Sequence, residues 1–260
     1  MPPPSLADAQ TWNISFSQNA AKDCWLLERL RLEILPRLDP QRRLRILDLG
    51  CGCGATTFLL AALAPQAEVV GLDISEASIA SAQRELAARQ GDRVSFVCGD
   101  YRKILFPPSH FDLIVADGVL HLIPDAACGV ISKIAGDLAP SGLFVFSVPR
   151  DGLFNRSLWL VRSMLRRSRS ATTDRLIVAM AKLLHGDRVA EDYLRERVHY
   201  MYLTPTLWIT DRLRAALRET HGLVPVFERP YPQASLGQFQ LRLCAYTKPA
   251  AAASILRHVA

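Results

Sequence analysis

Three glycines alternate with two cysteines directly after an apolar run that contains a carboxylate, Ile46-Leu47-Asp48-Leu49-Gly50-Cys51-Gly52-Cys53-Gly54. These residue types in this order suit ligand binding. Glycine lacks Cβ, so the chain can turn through φ > 0 and bring main-chain N–H groups against a ligand, at the mouth of a helix expected over Ala55 to Ala64. A glycine loop alone leaves phosphates, dinucleotides and other nucleotide-bearing ligands open. Gly54-Ala55-Thr56 supplies no lysine, which removes a phosphate-binding P-loop, and the spacing is GxGxG where a dinucleotide site wants GxGxxG. The next apolar run, Val69-Val70-Gly71-Leu72-Asp73, puts a second carboxylate at a strand tip about 20 residues on, able to accept hydrogen bonds from two ribose hydroxyls. The pair of features reads as an adenosine site. Cys51 and Cys53 read as small loop fillers, and the six cysteines (Cys24, Cys51, Cys53, Cys98, Cys128 and Cys244) lack paired CxxC spacing, so reduced thiols and no metal cage are expected.

The elements that must hold these residues alternate in type. Strands are expected at Leu44 to Leu49, Ala67 to Leu72, Val94 to Cys98, Phe111 to Ala116 and Leu143 to Val148, with helices at Ala55 to Ala64, Glu76 to Arg89 and Asp125 to Leu138. The rhythm predicts a doubly wound, mostly parallel sheet. A helix over Pro205 to Thr220 precedes two last strands, Val224 to Arg229 and Gln238 to Thr247, which complete a seven-stranded sheet as an edge hairpin. Asn19 to Leu35, with Leu27, Leu30 and Ile34 on one face and Pro36 at its end, predicts an amphipathic helix packed on the sheet or over the cleft.

Residues 150–203 break the rhythm. They show helical patterns at Leu158 to Arg167 and Asp174 to His185, and eleven Arg or Lys against six acids, which is +5 of the chain's formal +6. The division expected is therefore a binding domain over 1–149 and 204–248, an inserted helical cap over 150–203 after the fifth strand, and a tail over 249–260. The 260 residues are 50% hydrophobic and 22% charged, with no apolar run long enough to span a bilayer and no basic-then-apolar leader in Met1-Pro2-Pro3-Pro4-Ser5, so a cytoplasmic location is expected.

Asp48-x-Gly50-x-Gly52-x-Gly54 followed by Asp73 resembles the class I S-adenosylmethionine-dependent methyltransferase family. Phe96-Val97-Cys98-Gly99-Asp100 is similar to that family's third motif, Phe111 to His121 to its fourth, and Leu138-Ala139-Pro140-Ser141-Gly142-Leu143 to the turn before its fifth strand. The match runs over residues 44–148. It implies a Rossmann-like fold and S-adenosylmethionine as cofactor, contacted by Asp48, Gly50, Cys51, Gly52, Gly54, Asp73, Ile74, Asp100, Tyr101, Ala116 and Asp117. Asp112 is left as a structural turn residue. The resemblance also places His121 beside the transferred methyl, where an imidazole with a pKa near 6.5 can take a proton from an acceptor hydroxyl or amine, or orient the acceptor.

The acceptor is expected to be a small organic molecule methylated at oxygen or nitrogen, with carbon open. Lipid-like, carrier-bound and RNA acceptors are the alternatives, and RNA ranks last because no basic-aromatic module is present. The insertion reads as a lid, with His199, Tyr200 and Tyr202 as acceptor contacts within an aromatic group that includes Tyr193 and Trp208. Arg162, Arg166 and Arg169, at i, i+4 and i+7, form a basic face for solvent, a membrane surface, an acidic carrier or an anionic substrate. Two readings from other classes stand beside this one: a nicotinamide-dependent oxidoreductase and a cofactor-binding regulator without chemistry.

Overall fold

Seven strands form one sheet in the computed structural model, which describes residues 20–39, 41–89, 92–124, 126–185, 191–232 and 238–250. They are β1 (Arg45–Leu49), β2 (Glu68–Asp73), β3 (Val94–Cys98), β4 (Phe111–Ala116), β5 (Leu138–Pro149), β6 (Val224–Pro230) and β7 (Leu241–Thr247), in the order β3-β2-β1-β4-β5-β7-β6. β1 to β5 run parallel, and β7 enters antiparallel between β5 and β6, which makes the expected edge hairpin.

The helices are α1 (Ala20–Arg29), α2 (Ala55–Leu63), α3 (Glu76–Arg89), α4 (Ile131–Asp137), α5 (Leu153–Arg167), α6 (Ala171–His185), α7 (Glu191–Arg197) and α8 (Asp211–Ala215). Period-two alternation sorts the apolar strands onto two covered faces. Ile46, Val69, Leu113, Val115 and Val145 pack with Leu26 of α1 and Leu60 of α2. Their neighbours Leu47, Leu72, Ile114, Phe144 and Phe146 pack on the other side with Ile131 and Ile134 of α4 and Leu213 of α8. Asp112 fastens the base of this sheet, accepting from the Arg45 N–H (2.9 Å) and pairing with Arg42 (2.9 Å).

Several boundaries differ from expectation, each for a local reason. The first helix loosens into a π-helical turn at Leu30–Ile34, and Pro36 sits inside a 3-10 turn (Leu35–Arg37), near a start where no N–H is needed. Its buried line is Leu26, Leu30 and Ile34, with Leu27 only half-buried. Leu138 belongs to β5, because residues 139–142 form a bulge between the pairs Phe111–Leu138 and Leu113–Leu143, with Ser141 at φ 62°. The helix expected from Pro205 starts only at Asp211: Ile209 pairs with the end of β5, and Thr210 caps the helix by accepting from the Leu213 N–H (3.2 Å). β7 begins at Leu241, not Gln238.

In the insertion, α5 and α6 begin earlier than their apolar periodicity indicated, and α7, too short to show a period, was missed. Asn19, Asp125 and all of the tail beyond residue 250 lie outside the described residues.

Candidate active site

β1 leads out to β2 and β3 on one side, and β4 leads to β5 on the other, so the crevice beyond the carboxyl ends of β1 and β4 is a topological switch point. The glycine loop leaves β1 there, and the segment 117–122 leaves β4 beside it. They meet directly. A Cβ on Gly50 (φ +76°) would lie 2.5 Å from the Val119 Cβ, and one on Gly54 (φ +85°) would lie 2.6 Å from the Phe96 ring. Glycine at these two positions is thus required by backbone conformation and by the chain's own packing.

The loop's donors are also largely engaged within the chain. Gly50 and Cys51 donate to the Leu72 carbonyl (2.7 and 3.1 Å), Gly54 donates to the Cys51 carbonyl (2.9 Å), and Gly52 donates to Asp73 Oδ2 (2.8 Å). Asp73 accepts a second N–H, from Ser75, at Oδ1 (2.8 Å), so this carboxylate latches the tip of β2 to the glycine loop. Lone pairs remain on both oxygens for further donors.

Asp48 lies beneath the first turn of α2, buried, with Oδ2 accepting the Thr57 hydroxyl (2.6 Å). Burial pushes its carboxyl up to about 7, the charges of Asp117 and Asp73 add to this, and the Thr57 bond opposes it. Burial likewise raises Asp73, against its backbone bonds. Burial, with Asp48 and Asp73 adding, pushes the Cys51 thiol well above the usual thiol range, so it is a protonated loop filler. Three carboxylates, two of them near enough to raise the pKa of Asp48, make a site that favours a cation.

Asp117 is held by two hydroxyls, Ser147 (2.5 Å) and Tyr231 (3.0 Å), and Ser147 Oγ in turn accepts the Gly118 N–H (2.8 Å). Tyr231 packs against Trp25 of α1 (ring centroids 4.9 Å), which brings the first helix to this edge. His121 sits in a buried 3-10 turn, Leu120–Leu122, whose His121 carbonyl accepts both the N–H (2.8 Å) and the hydroxyl (3.1 Å) of Thr206. Residues 40–199, more than half of the chain, match a family model described as a methyltransferase domain. The chain belongs to the class I S-adenosylmethionine-dependent methyltransferases.

Among this methyltransferase's relatives are trans-aconitate 2-methyltransferase from Methylobacterium radiotolerans (36% identical, covering 51% of this chain and 48% of that one) and malonyl-[acyl-carrier protein] O-methyltransferase from Bacillus cytotoxicus (29%, covering 52% and 45%). The chain thus spans about half the length of the curated relatives it matches. The fold is shared with N-methyltransferase NodS from Bradyrhizobium japonicum in complex with S-adenosyl-L-homocysteine (TM-score 0.53, 19% identity, 88% and 87% covered). It is shared also with 1,6-didemethyltoxoflavin-N1-methyltransferase from Burkholderia thailandensis (TM-score 0.57, 18% identity, 94% and 86% covered). The cofactor of the methyltransferase is S-adenosylmethionine, and the carboxylate cluster fits it, since that molecule brings a sulfonium and an ammonium to a site charged by Asp48, Asp73 and Asp117.

Other expected contacts fare differently. Ile74 is half-exposed beside Asp73, and Ala116, at the end of β4, is fully buried in the core. Asp100 has both carboxylate oxygens gripped by Arg102 (2.8 to 3.2 Å), which holds it below the usual carboxylate range. The Tyr101 ring is buried in the core and its hydroxyl donates to Asp137 (2.8 Å), under Lys133.

In the methyltransferase's insertion, His199, Tyr200 and Tyr202 share one 3-10 turn (Val198–Tyr202), with His199 buried and its ring against Tyr200 (4.5 Å). The Tyr202 hydroxyl donates to Asp174 and its ring is covered by Arg169 (4.9 Å). Of the basic face, Arg162 is turned inward while Arg166 and Arg169 stay exposed. Arg162 is buried, donating to the Tyr200 and Leu203 carbonyls (3.0 and 3.1 Å) over the Phe239 ring, and Arg166 donates to Thr204 (3.1 Å). The Tyr193 side chain lies outside the described residues. Trp25, Ser147, Thr206 and Tyr231 were missed because each reaches the site from a distant segment, Tyr231 across 114 positions.

Proposed function

We propose that the protein transfers the methyl group of S-adenosylmethionine to a small organic acceptor at oxygen or nitrogen. The observation that carries this is the convergence of Asp48 and Asp73 on one side of the switch point with Asp117 and the Val119–His121 segment on the other. When bound, the cofactor supplies an electrophilic methyl on a sulfonium. The chain's part is alignment and exclusion of water. Asp48 and Asp73 would hold the cationic and ribose portions, and the Gly50–Val119 contact fixes the distance between the two halves. The carbonyl bonds from Thr206 set the His121 turn, from which the imidazole would take the acceptor proton or orient its lone pair. Trp25 and Tyr231 would shield the site from water on the α1 side. An acidic acceptor is favoured: the names of two relatives specify trans-aconitate and a malonyl group on a carrier protein, and the insertion beside the crevice is strongly cationic.

The test is release of S-adenosylhomocysteine from S-adenosylmethionine over a panel of carboxylic acids, phenols, amines and carrier-linked acids. Acceptor-dependent release with an acid supports the proposal. Nicotinamide-dinucleotide binding without S-adenosylhomocysteine binding would assign an oxidoreductase, and cofactor binding without turnover on any class would assign a regulator. His121→Asn should lower kcat by about 10²-fold or more and remove a basic limb from the pH profile if the imidazole takes the proton. A loss of less than about threefold would leave it only orienting.

A further inference from the structure

α5 is an amphipathic helix packed the other way round from a normal surface helix. Asn155 and Arg162 are its buried residues: Asn155 bonds the Arg150 and Gln240 carbonyls and the Gln240 N–H, and Arg162 holds the Val198–Tyr202 turn. On the opposite side Leu153, Leu160, Val161 and Met164, spaced i, i+7, i+8 and i+11, form one stripe that is 50% to 85% exposed. α6 does the same. Val178 faces inward, while Leu176, Met180 and Leu183, at i, i+4 and i+7, are 56% to 86% exposed. A three-residue turn joins the helices, and both pack inward on the Val198–Tyr202 turn. Contiguous apolar stripes of this kind call for a covering surface.

Charge identifies the cover. Residues 153–185 hold seven Arg or Lys and one acid, Asp174, an excess equal to the net charge of the whole chain. Asp174 is bonded by Tyr202. Arg156 and Arg167 stand four before and seven after Leu160, along the edge of its stripe, and both are exposed, Arg156 beside Asp151. Arg175, also exposed, precedes Leu176. A second copy of the chain would set this positive excess against itself, whereas an anionic bilayer offers phosphates to the arginines and apolar depth to the leucines. Among the described residues no helix is long and apolar enough to cross a membrane, so the pair would lie along the surface.

We propose that the α5–α6 hairpin docks on an anionic lipid surface, its two apolar stripes entering the boundary between headgroups and acyl chains. α5 starts four residues after β5 ends, at the carboxyl edge of the sheet, so the docked face adjoins the crevice. On the methyl-transfer reading, this places the acceptor's entry beside the bilayer.

The experiment is co-sedimentation of the full chain with vesicles of phosphatidylcholine alone and of phosphatidylcholine with phosphatidylglycerol, at low and at physiological salt. The expected result is binding to the phosphatidylglycerol vesicles that weakens with salt. L160Q/M164Q should lower the partition coefficient at least about tenfold. R167Q/R175Q should lower it by roughly tenfold on phosphatidylglycerol vesicles and leave phosphatidylcholine unaffected. All four side chains are exposed, so fold, by circular dichroism, and S-adenosylhomocysteine affinity should match the parent. Equal weak partition into both vesicles, or no effect of L160Q/M164Q, overturns the proposal. So does a monomer–dimer equilibrium that L160Q/M164Q abolishes without any vesicle binding, which would make a second copy the cover. Vesicle binding needs neither cofactor nor turnover, so failure of the methyl-transfer reading shows in the S-adenosylhomocysteine titration and failure of docking shows in the pellet.

Discussion

Asp48 carries a charge that the ligand-free fold resists. Its carboxyl titrates at about 7 where the unfolded chain's would titrate near 4, so between those values the folded state holds a proton that the unfolded state has released. Stability is therefore full at low pH and is lost as pH rises through 7, by an amount on the order of a few kcal/mol. The melting temperature of the free protein should fall between about pH 4 and pH 7 after correction for other groups, and Asp48→Asn should flatten that fall. A cation bound beside Asp48 favours its ionised form, so S-adenosylmethionine affinity should rise across the same window. Calorimetry near pH 6 in buffers of different ionisation enthalpy should detect the released proton. Gly50→Ala is the second residue-scale test. It places a Cβ against Val119 at φ +76° and should cost about 2–4 kcal/mol in urea unfolding. Adding Val119→Ala should recover only the steric part, since the backbone strain stays.

At the scale of elements, the site depends on segments that pin one another from far apart. Thr206, in the extended stretch before α8, bonds the His121 and Ile123 carbonyls, so the turn carrying the imidazole is set by chain that lies beyond the insertion. Thr206→Val should lower kcat roughly 3–10-fold with S-adenosylhomocysteine affinity unchanged, and Thr206→Ser should restore it, which a general loss of stability would not do. Arg162 performs the equivalent task for α5. Burial lowers its guanidinium to about 10, still charged at neutral pH, and its bonds to two carbonyls fasten α5 to the Val198–Tyr202 turn. Arg162→Met should destabilise the insertion by about 2–4 kcal/mol and expose 198–203 to protease before the sheet unfolds. Protection of the sheet and cofactor affinity should be retained.

At the scale of the whole molecule, a ligand that binds only the folded state stabilises it by mass action, by about 2.7 kcal/mol at a hundred times Kd. For a chain of this size, S-adenosylhomocysteine should raise Tm by roughly 5–10 °C, and reduced nicotinamide dinucleotide should leave it unchanged. The donor half of this molecule was legible in sequence because its signals are local. Apolar runs of strand length separated by helix, three glycines at fixed spacing and an acid at the next strand tip each lie within a few residues, and their order alone implies the doubly wound sheet and its switch point. The sequence did not reveal how those residues are used. Whether a glycine is needed for ligand or for Val119, whether the loop's N–H groups face ligand or Leu72, and whether Tyr101 points to adenine or to Asp137 depend on contacts between segments that no local pattern encodes. The insertion shows this most fully. Its periodicity gave the two helices but not their facing, because an amphipathic pattern is satisfied by burying either side. Only tertiary contacts, with carbonyls of the Val198–Tyr202 turn and its flank taking up Arg162, turned that arginine inward and left Leu153, Leu160, Val161 and Met164 outside.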